Sequence, residues 1–406
     1  MSISRRRFLK HTSLAALCGW IFPPISGPAT PRRLASWLQS DEFAEFMQTQ
    51  MRSAHIPGVS LAVIDRGSLV HTAGFGFADI EANRPMKPGT LLNVASITKT
   101  ITCTAVMQMC EWGKLELDSS IDDYLPFKIR NPAFAERTIT PRQLLTHTSS
   151  IADGPAYKSS YICGDPQVTL DEWLQQYLMP GGKHFDSQLN FHAWAPGGSH
   201  AYSNVGYGVL GLMVEHLSGM PYADYCAKHI FAPLGMIRSR FLLAGMAREM
   251  HATPYDYVED GDVATVELVD PAWSASPGSK EIYVPHCLYS FVTMPDGLAR
   301  TTAAELARFL MAYIHGGTLE GSKILQVKSI KKILSDQHIQ YSEPSKLIQG
   351  LTWYNDDGIW GHGGGDPGVS TYMGFRPADG RGVVMLANVG GADTETPKNI
   401  FAWGRK

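Results

Sequence analysis

The sequence predicts one mixed α/β unit, with strands from both ends of the chain and a helical insertion from its middle. Three observations carry this. Strand-like runs sit near the start, at 59–64 and 68–74 around an Asp65-Arg66-Gly67 turn, and return near the end at 351–354, 368–376 and 382–387. Between them, apolar residues recur at helical spacing in segments parted by Pro/Gly loops. The 406 residues suffice for roughly two packing units. The expected division is 31–90 with 291–406 for the α/β lobe and 91–290 for the helical lobe, with a site at their junction.

Taken in order, residues 34–53 read as one amphipathic helix, with Leu34, Leu38, Phe43, Phe46 and Met47 on one side, broken by Pro57-Gly58. The hairpin follows. A strong helix spans 95–112 and stops at Gly113, where a left-handed cap belongs. Further helices are expected at 169–178, 205–217, 303–314 and 329–334, while 250–300 is loop-rich. No internal repeat breaks this pattern.

Composition narrows the function classes. Lys+Arg 35 against Asp+Glu 38 gives a net charge of −3, and the chain is 44% hydrophobic and 18% charged, an ordinary globular balance. No long Lys/Arg tract suggests a nucleic-acid partner, and no apolar run reaches the roughly 18 residues of a membrane span.

Residues 1–30 read as an export signal of the twin-arginine type: Arg5-Arg6-Arg7, a short apolar stretch from Leu14 to Phe22, then Pro23, Pro24, Gly27 and Pro28. Cys18 follows Leu17, too large for lipoprotein processing. The expected destination is the bacterial periplasm or the exterior. Removing the segment leaves 31 basic against 38 acidic side chains and five cysteines. An odd number cannot all pair, and a fold without disulfides is expected. Cys103 and Cys110, seven apart on one helix, read as core residues. No Cys/His spacing suggests zinc, and no metal or cofactor is expected.

Three short motifs carry the chemistry. Ser96-Ile97-Thr98-Lys99 opens a helix after the strand-like Leu91-Leu92-Asn93-Val94, so Ser96 and Lys99 share a face at an electropositive helix start. Alone it fits equally a helix cap and a surface lysine, and chance yields about one such match, of which Ser329-Ile330-Lys331-Lys332 on a basic, solvated face is an example. Tyr202-Ser203-Asn204 offers a phenol and an amide before another helix, or simply a loop tyrosine and a capping asparagine. Gly361-His362-Gly363-Gly364-Gly365-Asp366-Pro367-Gly368 leads into a strand, leaving backbone amides open to a ligand or forming a plain turn.

Their order and separation resemble the penicillin-recognising serine hydrolases, nearest the class C β-lactamases and their esterase and D-peptidase relatives. Asn93 to Lys99, Leu144-Leu145-Thr146-His147-Thr148-Ser149, Tyr202-Ser203-Asn204, Gly297-Leu298 and Gly361-His362-Gly363-Gly364 carry the likeness from about residue 40 to 390. It implies an α+β, β-lactamase/transpeptidase-like fold, with an antiparallel sheet flanked by helices from both ends of the chain plus a mostly helical lobe from its middle. Ser96 would be the acylated nucleophile, Lys99 its base and Tyr202 a proton relay. Asn204, His362, Gly363 and Gly364 would contact the substrate, with the amides of Ser96 and Gly365 as oxyanion hole. Trp194, Tyr157 and Trp360 are further expected to line the cleft.

Departures shift the expected substrate. His362-Gly363-Gly364 replaces the family's Lys-Thr-Gly, removing the clamp on a β-lactam carboxylate, so neutral esters or amides are favoured. Ser150 stands where glycine usually follows, which suggests a differently shaped loop, and only 393–406 remain where a long final helix usually packs. The two G-x-G-x-x-G matches, at 206–211 and 363–368, lack the strand-to-helix context of a dinucleotide site. The expected function is hydrolysis of a small ester, amide or peptide by a serine acyl-enzyme, foremost as an esterase. The alternatives are a D-amino-acid peptidase, a weak β-lactamase, or a catalytically silent exported binding protein.

Overall fold

The N-terminal hairpin forms as its turn residues require: Arg66 and Gly67 both take positive φ, 51° and 76°, the two-residue turn that suits right-handed strand twist. In the computed structural model, which describes residues 31–259, 263–274, 282–339, 341, 347–392 and 395–402, its strands β1 (Gly58–Asp65) and β2 (Ser68–Asp79) enter an eight-stranded antiparallel sheet. The remaining strands are β3 (Arg84–Pro85), β4 (Ile348–Gln349), β5 (Tyr354–Asp356), β6 (Ile359–Asp366), β7 (Val369–Arg376) and β8 (Arg381–Ala387). Their order is β4-β5-β6-β7-β8-β1-β2-β3, so β1 lies between its hairpin partner and the last strand, with Val59 opposite Ala387. The proposed signal segment lies outside the described residues. Among them, no helix is long and apolar enough to cross a membrane.

Both faces of β1 and β8 are covered, which is why their burial does not alternate. On one face Leu61, Val63, Val383 and Met385 pack against α1 (Pro31–Trp37) and α2 (Asp41–Ser53) through Leu34, Trp37, Phe43 and Met47. Ile400 and Phe401 of the C-terminal helix Glu395–Ala402 join them. On the other face Ala62, Ile64, Val384 and Leu386 meet Leu306, Phe309 and Leu310 of the helix Ala303–Ile314, in a core that continues into the middle of the chain. The single helix expected over 34–53 is in fact two. Ser40 caps the second, accepting from Phe43 N at 3.3 Å, with Asp41 and Glu42 in its first turn, a start signal that overrides the continuous apolar stripe.

The helix expected at 95–112 starts as a 3₁₀ turn, Ala95–Ile97, and runs on as α3, Thr98–Glu111, ending at Gly113 with φ 68°. It is buried nearly all round. Its threonines are satisfied internally, Thr102 donating to Pro295 O at 2.6 Å and Thr104 bonding Tyr313 Oη at 2.7 Å. Helices Leu170–Leu178 and Asn204–Ser218 form with Thr169 and Ser203, not Asn204, as their caps.

Four further expectations are corrected. Cys163 and Cys287 form a disulfide while Cys103, Cys110 and Cys226 stay free; a pair 124 residues apart leaves no spacing signal. The expected strand at 351–354 begins only at Tyr354, since Leu351 and Trp353 are buried in the core beside it. The glycine run is neither an approach to a strand nor a turn. It is the body of β6, paired with β7 through Gly363–Tyr372, Gly364–Thr371 and Gly365–Ser370, and the turn comes after it at Pro367-Gly368. Ser329 is also not solvated: it is buried and donates to Glu111 at 2.5 Å, leaving Lys331 and Lys332 exposed.

Candidate active site

The first site element is a strained turn. Asn93 Oδ1 accepts from Ala95 N at 3.0 Å, and Ala95 takes φ 46°, a region most side chains avoid. This turn presents Ser96, half-buried, within the 3₁₀ start of α3, where the first backbone N–H groups have no acceptor inside the helix. One turn on, Lys99 is fully buried, with Nζ 3.2 Å from Ser96 Oγ.

Two carbonyl oxygens hold the other side of Lys99: Asn204 Oδ1 and Asp296 O, each at 2.6 Å. A neutral amine has two N–H bonds and one lone pair. In that form, N–H bonds given to these two acceptors would leave the lone pair for the Ser96 hydroxyl. Burial drives the Lys99 pKa down, and the carboxylates of Asp296, Asp153 and Asp366 only partly pull it back.

Tyr202 closes the group. Lys99 Nζ lies 4.8 Å from its ring centroid, and its hydroxyl is close enough to Ser96 for the serine to favour the phenolate, an influence that burial outweighs. The ring is 39% exposed while the hydroxyl end is enclosed, which raises its pKa and keeps the phenol neutral. Asn204 joins the cluster with both amide ends engaged, Oδ1 to Lys99 and Nδ2 to Asp153 Oδ2 at 2.9 Å. To bind a substrate it must exchange one of these bonds.

Strand β6 forms the opposite wall. A side-chain carbon at Gly365 would meet nothing within 4 Å, whereas one at Gly364 would collide with Thr371 and the Val94 carbonyl. Gly363 and Gly365 are exposed. His362 is buried with its Nδ1 2.6 Å from Gly363 O; a carbonyl can only accept, so Nδ1 carries the proton. Burial pushes the His362 pKa down to about 4, so no cation stands at this position near neutral pH.

Sequence reasoning missed the buried carboxyls. Asp153 accepts from Asn204 N and Val205 N at 2.9 and 3.0 Å, anchoring the helix start behind Tyr202. Asp296 accepts from Thr293 Oγ1 at 2.6 Å and Tyr157 Oη at 3.2 Å. Asp366 accepts from Tyr161 Oη at 2.8 Å and Asn93 Nδ2 at 3.2 Å, tying β6 to the Ser96 turn. Burial raises the pKa of all three, that of Asp366 up to about 6. Asp366 and Asn93 stood within quoted motifs, but no pattern marked their pairing.

The expected cleft aromatics scatter. Tyr157 is buried behind Asp296, Trp360 lies in the core against Gly350, and Trp194 stacks on His192 with centroids 5.3 Å apart. Ser150, where glycine was expected, takes the left-handed conformation itself at φ 65° and accepts from Asn131 Nδ2 at 3.1 Å, so the turn accommodates the side chain. Among the described residues no group of three or more His, Cys, Asp or Glu is placed to hold a metal ion.

This arrangement belongs to a known family. The Beta-lactamase family description matches residues 43–403, and the chain belongs to that family. It is a serine hydrolase in general class, with the β-lactamase/transpeptidase fold. Penicillin-binding protein 4 of Amycolatopsis lactamdurans is 28% identical over 357 residues, 86% of this chain and 84% of that one. The D-amino acid amidase from Ochrobactrum anthropi SV3 shares the fold with a TM-score of 0.66 at 22% identity, over 91% of this chain and 95% of its own. EstCE1, a hydrolase with promiscuous acyltransferase activity, matches with a TM-score of 0.66 at 18% identity, over 90% and 97%.

Proposed function

We propose that this protein hydrolyses a small neutral ester or amide through an acyl-enzyme on Ser96, with esters the better substrates. The observation that carries the reading is the placement of Lys99, whose Nζ lies 3.2 Å from Ser96 Oγ and is held on its other side by Asn204 Oδ1 and Asp296 O.

In acylation, Ser96 Oγ bonds to the substrate carbonyl carbon as its proton passes to Lys99. The oxyanion is assigned to the Ser96 and Gly365 amides, as the family resemblance implies. The proton then moves through the Tyr202 phenol, which accepts one proton as it gives up its own, to the leaving oxygen or nitrogen as that bond breaks. Water repeats the sequence on the acyl-enzyme and releases the acid. A neutral His362 in place of a lysine supports substrates without a carboxylate at that position.

We further infer export to an oxidising compartment. The Arg5-Arg6-Arg7 segment and the Cys163–Cys287 disulfide support it, since such bonds persist outside the reducing cytosol.

The test is p-nitrophenyl butyrate hydrolysis by the purified protein beside Ser96→Ala, with a D-Ala-D-Ala peptide assayed in parallel. Ester turnover lost in the variant supports the reading. Turnover that survives in Ser96→Ala removes Ser96 as nucleophile, and turnover of the peptide alone replaces the esterase with a D-peptidase.

A further inference from the structure

The Leu144–Ser149 motif contributes no group to the chemistry above, yet one of its residues surrounds Tyr202. The His147 carbonyl accepts from Ala201 N at 2.9 Å, and His147 Nδ1 accepts from Ser203 N at 3.1 Å. The amides on both sides of Tyr202 therefore bond to one residue. The His147 ring also stacks on the Tyr202 ring, with centroids 4.1 Å apart and planes 28° from parallel. His147 itself sits at φ 57°, which histidine and asparagine visit more readily than most residues.

The protonation state follows from the partners. An amide N–H can only donate, so Nδ1 must keep its lone pair and the neutral ring carries its proton on Nε2. That Nε2 is buried with no hydrogen-bond partner among the described residues. Burial, with Lys99, His200 and His362 nearby, holds the His147 pKa well below 6.5, and the Tyr202 and Tyr207 rings complete its surroundings. A residue serving only to fill space would need neither the acceptor at Nδ1 nor the left-handed backbone.

We propose that His147 is a positioning residue for Tyr202, which fixes the phenol toward Ser96 by bonding both flanking amides and stacking on its ring. The kinetic consequence rests on the acyl-transfer reading; the structural consequence does not.

The test compares His147→Asn with His147→Gln. Both carry an amide, but only asparagine places an acceptor at the δ position, and asparagine also tolerates the backbone conformation. Two readouts are taken: amide hydrogen exchange in peptides covering residues 198–206, and kcat and KM for p-nitrophenyl butyrate. The Gln variant should exchange about tenfold faster there and lose about 30-fold in kcat with KM within threefold. The Asn variant should recover at least tenfold of that kcat and most of the protection. Equal exchange in wild type and Gln variant overturns the proposal, as does equal impairment of the two variants. If the Gln variant does not fold, His147→Gly, which keeps the backbone conformation and lacks the acceptor, takes its place. If the wild type hydrolyses no ester, the functional reading fails, and the exchange data alone decide whether His147 holds this segment.

Discussion

Gly364 packs against Val94 so closely that a side-chain carbon on the glycine would lie 2.5 Å from the Val94 carbonyl oxygen. This contact sets the spacing between β6 and the Ser96 turn. Gly364→Ala should push the strand away and lower kcat/KM about 100-fold, since a 1 Å misplacement carries that order of loss. Gly365→Ala meets no protein atom within 4 Å, so its thermal midpoint should match wild type while the added carbon raises KM. Melting curves and ester kinetics on the pair distinguish the two, and a Gly364→Ala enzyme with wild-type kinetics would refute the spacing argument.

The proposed mechanism requires Lys99 as the neutral amine, and burial lowers its pKa. Protons compete with the base at low pH, so kcat/KM should rise with pH through the Lys99 titration and then level, at a pH below the ordinary lysine value of 10.5. Lys99→Arg, cationic throughout, should lose about 10²–10⁴-fold and show no such limb. A pH–rate profile on both proteins checks this.

His362→Lys restores a cation where the buried histidine is neutral. One charge-assisted bond to a carboxylate contributes about 1.5–3 kcal/mol, so acylation by a penicillin should accelerate roughly 10–100-fold. Neutral ester hydrolysis should gain nothing. The second-order rate of labelling by a fluorescent penicillin measures the effect, and an unchanged rate would show that the carboxylate does not bind at this position.

The Cys163–Cys287 disulfide joins the segment carrying Tyr157 and Tyr161 to the one carrying Tyr289, and these tyrosines bond Asp296, Asp366 and Asn93. Cys163→Ser with Cys287→Ser should cost about 2–4 kcal/mol of stability. It should also slow ester hydrolysis by loosening the hold on Asp366. Thermal melts and activity with and without dithiothreitol test both; an active, equally stable reduced protein would make the bond incidental.

Much of this was legible before any coordinates. The N-terminal hairpin and the helix at 303–314 follow from local periodicity, and the grouping of Ser96, Lys99, Tyr202 and the β6 glycines is what the family resemblance implies. What stayed hidden depends on distant partners. Asp153, Asp296 and Asp366 are ordinary acidic residues in sequence, and only burial against Lys99 changes their meaning. Cys163 finds Cys287 across 124 residues with no spacing rule to announce it. The glycine run misled because glycine usually marks turns; here its missing side chain lets a strand approach the Ser96 turn. Trp360 misled similarly, since an aromatic beside a motif carries no information about which layer it fills.

The pairing of Val59 with Ala387 has a consequence for how the protein is made. The middle of the sheet is a seam between the first and the last of the described strands. While the ribosome is still adding the intervening residues, α1 and α2 can already cover Leu61 and Val63, but the edge that pairs with β8 is open and Ala62 and Ile64 lack Leu306, Phe309 and Leu310. Closure therefore waits for all the residues between the two strands to emerge, and these long-range contacts favour slow maturation with a period of aggregation risk. A holding factor that shields the nascent hairpin would act on this seam, well away from the cleft.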